Sequence, residues 1–159
     1  MSNSMKVNFQ VVGIPSHEAH ALLQTAESQI GTTRMRVDAK PGYPCRISLT
    51  DAELGEEVLL LTYEHHAVAS PYMASGPIYI RISAEPVSIE PNTIPLMLHH
   101  RLLSLRVYDS KAMMIAAHTT EGENLESLIY IIFEDSAAQY IQVHNAGPGC
   151  YNCQINRLK

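Results

Sequence analysis

Tryptophan is absent from the sequence and phenylalanine occurs only twice, so the aromatic content rests on eight tyrosines. A tyrosine keeps a polar handle when its ring is covered, and several of these rings are expected at a wet surface or on hydrogen-bond partners. Cysteine occurs three times, an odd number that does not suit a disulfide framework and fits a reducing compartment. No cluster of Lys and Arg is present and the formal net charge is −5, which excludes a general nucleic-acid binder with a basic stripe. The apolar runs fall far short of the roughly 20 residues that cross a bilayer, so no membrane partner is expected. Met1–Phe9 carries no apolar signal core, and a cytoplasmic location is expected. No repeat or low-complexity tract interrupts the chain.

What is present is a chain of 159 residues, 46% hydrophobic and 17% charged. That suits one domain spanning residues 1–159, able to bury roughly two thirds of its unfolded surface. Val7–Ile14 reads as a strand. Ser16 then reads as the N-cap of a helix with Ala19, Leu22, Leu23, Ala26 and Ile30 on its apolar face. Strands are expected at Thr33–Asp38 and Cys45–Thr50, with one helical turn at Asp51–Gly55. Val58–Tyr63 is apolar on both faces and belongs in a sheet centre. Residues 64–76 read as a long loop, Pro77–Ile82 as a strand and Pro86–Pro95 as an irregular crossing. Pro95–Arg101 reads as a short helix, and Leu102–Tyr108 and Ala112–His118 as strands. Thr120 and Glu123 have the spacing of a capping box for a second main helix, with Leu125, Leu128, Ile129, Ile132 and Phe133 inward. Tyr140–His144 and Tyr151–Leu158 close the chain as strands. Two main helices among many hairpin-linked strands give an α+β class with a mostly antiparallel sheet.

Three of these strands pair an aliphatic face with a polar one: Tyr79 and Arg81, then Ser104, Arg106 and Tyr108, then Gln142 and His144. In one sheet and in register, these side chains would meet on one surface. That surface is either a solvated face or a pocket floor with arginines for a small anionic ligand.

Residues 144–153, His-Asn-Ala-Gly-Pro-Gly-Cys-Tyr-Asn-Cys, concentrate the reactive side chains. Cys150 and Cys153 have metal-ligand spacing, and Cys45 supplies a third thiol for a zinc site, although no second ligand pair accompanies them. The same pair has the spacing of a redox dithiol, but a strand rather than a helix follows it, which removes the helix dipole that activates such sites. A third reading is nucleophilic: Cys45 or Cys150 with His144 as base, Asn145 to orient the ring, and Gly147 and Gly149 offering N–H groups to an anion. The plain alternative is buried small thiols at a hairpin. Tyr63, His65, Arg81, Arg106 and Tyr108 complete the ligand-binding candidates.

The segments Lys40–Arg46, Glu56–Leu61, Tyr63–His65, Ala69–Tyr72, Ala74–Ile78, Arg101–Arg106, Tyr108–Asp109, Val143–Ala146 and Pro148–Tyr151 resemble, in order, a bacterial protein family designated domain of unknown function 1203. The resemblance implies a one-domain bacterial protein and carries no activity, ligand or catalytic residue with it. In that pattern the position of His66 varies, which weights His65 above it. The expectation is a protein that binds or transforms a small anionic molecule, with a Cys/His/Arg pocket at strand ends. The alternatives are a non-enzymatic module with a structural or zinc-binding thiol cluster, and a thiol redox protein.

Overall fold

The computed structural model describes residues 6–159; the first five residues of the Met1–Phe9 reading lie outside them. The fold is a single α+β domain with two antiparallel sheets. Five strands make the first: β1 (Phe9–Val12), β5 (Leu102–Tyr108), β6 (Met114–Glu121), β7 (Tyr140–Asn145) and β8 (Tyr151–Arg157), in the order β1-β8-β7-β5-β6. The second has the order β2-β3-β4, from β2 (Thr33–Arg36), β3 (Glu57–His66) and β4 (Ala74–Arg81). The doubly apolar run of β3 takes the central place expected of it.

Period-two alternation decides where each core sits. Leu103, Leu105 and Val107 of β5, Ile141 and Val143 of β7, and Cys153 and Ile155 of β8 bury one face of the large sheet. Against them pack α2 (Leu96–His99) and α3 (Leu125–Ile132), the latter through Leu125 and Ile129. Each such aliphatic side chain contributes about 1.5–3 kcal/mol by leaving water. The small sheet buries Leu59, Leu61, Ile78 and Ile80 with Ala19 of α1 (Ser16–Thr25), together with Cys45 and Ile47. No helix among the described residues is long and apolar enough to cross a membrane.

Several local expectations fail for identifiable reasons. Cys45–Thr50 is not a strand. Pro44 and Cys45 make single bridges to Asp51 and Tyr79, and the chain then turns back on itself with Leu49 N–H on Cys45 O at 2.9 Å. Asp51 lies in that bridge, not in a helical turn. The long loop is shorter than its composition suggests, because β3 bulges after Tyr63 and continues until His66 pairs with Ala74. Pro15, not Ser16, caps α1, and Ile30 is fully exposed because the helix has already ended. Thr120 belongs to β6, paired with Leu103, so the capping box does not form. Ile82 lies beyond β4 and is partly exposed, off the face of Ile78 and Ile80.

The second face of the large sheet positions the polar residues. Register aligns Arg106 with Gln142 and Gln142 with Gln154, and Ser104 with His144. A bulge after Val143 then brings Tyr151 opposite His144. Two of the three expected polar sets therefore do share a surface. Tyr79 and Arg81 do not, because β4 is in the other sheet. In their place the end of β3 lays His65 and His66 on that face.

Candidate functional site

The β7–β8 hairpin closes tightly. Asn145 N–H donates to Cys150 O at 2.8 Å and Gly149 N–H to Asn145 O at 2.9 Å. Gly147 (φ +87°) and Gly149 (φ +82°) occupy the left-handed region, which glycine enters without steric cost. This turn returns Cys150 beside the strand it left, with Asn145 Nδ2 3.3 Å from the sulfur. Asn152 holds the amide in place by donating to Asn145 Oδ1 at 2.6 Å.

Arg46 approaches the same sulfur from the 44–51 turn. Its side chain is 1% exposed. Nε donates to Tyr151 O at 2.7 Å, Nη1 to Pro44 O, and Nη2 to Cys150 Sγ at 3.3 Å. A guanidinium keeps its proton in a protein interior, so this is a buried positive charge. Burial pulls its pKa down, while Cys150 and Cys45 push it back up. Carboxylate partners among the described residues go to Arg34, Lys40, Arg81, His100 and Arg101, and none to Arg46. The one ionisable group that Arg46 touches by hydrogen bond is the Cys150 thiol.

The expected Cys–His pair is not formed. His144 lies on the polar face of β7, its Nδ1–H donates to Gly149 O at 2.9 Å, and its Nε2 has no partner. Nor does Asn145 orient a ring, since its amide is on the sulfur. Cys45 sits in the core under α1 and accepts from Arg81 N–H at 3.3 Å. Cys153 faces the large core, where burial pushes its thiol up to about 12. Cys150 lies at the hairpin, before β8 begins, against Arg46 and Asn145, whereas Cys153 is in the large core, so the two thiols have different surroundings. The zinc reading of Cys45, Cys150 and Cys153 fails. All three thiols are free, and no three His, Cys, Asp or Glu of the described residues converge to hold a metal.

Other candidates are committed elsewhere. Arg81 pairs with Glu56 at 2.6 Å and reaches Thr50 at 3.1 Å. The Gly149 N–H is spent within the turn. Tyr108 is buried and stacks on Tyr140 at 5.2 Å, with the His66 ring 4.2 Å away. His66 is itself pinned by Tyr72 O and the Tyr140 hydroxyl, both at 2.7 Å. Its role is structural, and His65 is the reachable member of the pair. Tyr63 is half-buried near Glu18; burial first, then that carboxylate, pushes its phenol up to about 12.

His65 lies parallel to Tyr151 with ring centres 5.0 Å apart and meets the His144 ring edge-on, also at 5.0 Å. Both tautomers follow from their partners. Gln142 spends its NH2 on His65 O (2.7 Å) and Gln154 Oε1 (3.1 Å), so its Oε1 is the acceptor for His65 Nδ1–H at 2.8 Å. The carbonyl of Gly149 can only accept, which puts the proton of His144 on Nδ1 as well. Each neutral ring therefore carries its lone pair on Nε2. Burial and the nearby Arg106 lower both rings, His144 to about 4.

A histidine depressed on folding binds fewer protons than the unfolded chain between about pH 6.5 and 4. Its contribution to stability is full above the unfolded value and is lost as pH falls through that window. For His144 the loss amounts to about 3 kcal/mol. Unfolding measured from pH 7 to 4 should follow that slope, and His144→Gln should flatten it; an unchanged slope in the variant would contradict the assignment.

The family model described as protein of unknown function (DUF1203) matches residues 42–157. The chain belongs to this family. No curated protein and no solved structure matches it. The DUF1203 segment begins at the turn that carries Arg46 and ends in β8, so it contains both the Cys150 cluster and the polar sheet face. It leaves out β1, α1 and β2, which supply none of the site's donors. Within the DUF1203 segment, sequence reasoning missed Arg46, Gln142 as a ring holder, Tyr151 and Asn152. Arg46 was in view beside Cys45. No local signal marks it, because the partners that draw it in, Tyr151 and Cys150, lie about a hundred residues further on.

Proposed function

We propose that the protein acts on a small molecule through the thiol of Cys150. The observation that carries this reading is the buried guanidinium of Arg46 donating to that sulfur with no carboxylate to neutralise it. A fixed positive charge beside a sulfur favours the negative charge that develops there as it reacts, and a hydrogen bond from a charged donor is stronger than a neutral one. A cleft of about 370 Å³, lined by Pro44, Arg101, Leu102, Asn145, Ala146 and Pro148, borders the amide that holds the sulfur. Cys150 itself is not in that lining, so a molecule that presents an electrophilic atom to it enters past Asn145. Sulfur donates its electron pair to that atom, the leaving group departs with the bonding pair, and the thiol's proton passes through water to the leaving group. Three free thiols suit a reducing interior, and the bacterial cytoplasm is the setting this reading expects.

Asn145→Ala tests the arrangement, with urea unfolding run in parallel because the variant also strips Asn152 Nδ2 of its acceptor. Alkylation of Cys150 by iodoacetamide at neutral pH should slow about tenfold, the worth of one donor to the reacting sulfur. A rate equal to that of the unaltered chain would remove the donors from the account.

A further inference from the structure

The other polar cluster does not depend on Cys150. Arg106 and His144 are diagonal neighbours on the same face of β5 and β7, since Arg106 is opposite Gln142 and Ser104 opposite His144. Such neighbours lie within reach of a long side chain. Arg106 meets no carboxylate among the described residues. His144 is 1% exposed, and its Nε2 is a buried acceptor with no donor. An unpartnered buried acceptor costs about 1–3 kcal/mol and marks a place where a partner belongs. His65 adds a second Nε2 lone pair beside it, and both His65 and Arg106 are partly open to solvent.

The donor set is selective. A metal ion is disfavoured by the adjacent guanidinium. A simple anion satisfies Arg106 but offers nothing to a nitrogen lone pair. An anion that carries its own O–H satisfies both: negative oxygens on the guanidinium, and a hydroxyl donating to imidazole. Arginine suits the first task because its planar fork matches phosphate and carboxylate oxygens. We infer that the polar face of the large sheet is a binding site for a small hydroxyl-bearing anion, hydrogenphosphate or an α-hydroxy carboxylate, whose negative oxygens meet Arg106 and whose single O–H donates to the buried Nε2 of His144, with His65 alongside.

The test uses the full chain and ring-nitrogen NMR of its histidines at pH 7. Inorganic phosphate is titrated against sulfate, which has the same shape without the proton, and glycolate against acetate. Saturable movement of the His144 and His65 Nε2 signals is expected with phosphate or with glycolate, and the pair that responds identifies the source. The hydroxyl-bearing member should bind at least about tenfold tighter than its partner, the worth of one buried hydrogen bond. Arg106→Gln should weaken the response at least about tenfold. Three results overturn the inference: no saturable shift with either, equal binding of sulfate and phosphate or of acetate and glycolate, and a response unchanged in Arg106→Gln. The comparison of anions is made on the unaltered chain, so it stands even where the variant folds poorly.

Discussion

Arg46→Met is expected to lower the unfolding free energy by about 3 kcal/mol and to slow alkylation of Cys150 at least about tenfold. Two effects oppose each other. Removing the guanidinium relieves the cost of a buried charge. It also strips donors from Tyr151 O, Pro44 O and Cys150 Sγ. An orphaned buried acceptor costs about 1–3 kcal/mol. Methionine refills the volume of the stem but returns none of the three bonds, so the loss should win. Urea unfolding gives the first number and the kinetics of iodoacetamide labelling the second. A variant as stable as the unaltered chain, with an equally reactive thiol, would reduce Arg46 to a space-filler.

Gly122→Ala should be as damaging to the fold, for a reason unconnected with chemistry. Gly122 begins the turn between β6 and α3 and is buried against α2. A Cβ there would lie 1.7 Å from the Leu98 carbonyl oxygen and 2.7 Å from its carbon. Both obstacles are backbone, so no rotamer change makes room. The Gly122 N–H also holds Arg101 O at 2.8 Å, so the turn cannot swing away without breaking that bond. Overpacking of this kind costs about 3 kcal/mol or more. Thermal unfolding of the variant checks it. An unchanged midpoint would mean that α2 can shift freely, and Asp51, which pairs with Arg101 behind it, would shift as well.

Sheet-forming residues were legible in the sequence where local pattern decides the structure. Alternation in Leu102–Tyr108 and Tyr140–His144 gave both the strands and the polarity of their faces, because one face had a large core to enter. The continuous run Val58–Tyr63 gave the centre of the second sheet. The α3 stripe was readable for the same reason. Illegible features depend on distant contacts. The 44–51 turn has the composition of a strand, and only its meeting with Tyr151 and Cys150, about a hundred residues later, draws Arg46 inward. Whether polar faces from different strands coincide is a matter of sheet membership. Alternation says nothing about that, which is why Arg106 and His144 were grouped correctly and Arg81 was not. The partner of a thiol is equally non-local. Proximity in sequence suggested His144, whereas the bulge after Val143 turned Asn145 toward Cys150 and left His144 on the other face.

Which thiol reacts first decides whether Cys150 is the reactive group. Limiting iodoacetamide on the native chain at neutral pH, followed by mass-spectrometric mapping, should place a single label on Cys150. Cys45 and Cys153 are 0% exposed and should react only after unfolding. Label appearing first on Cys45 or Cys153, or spread evenly over all three, would contradict the claim that Arg46 and Asn145 have prepared Cys150 for chemistry.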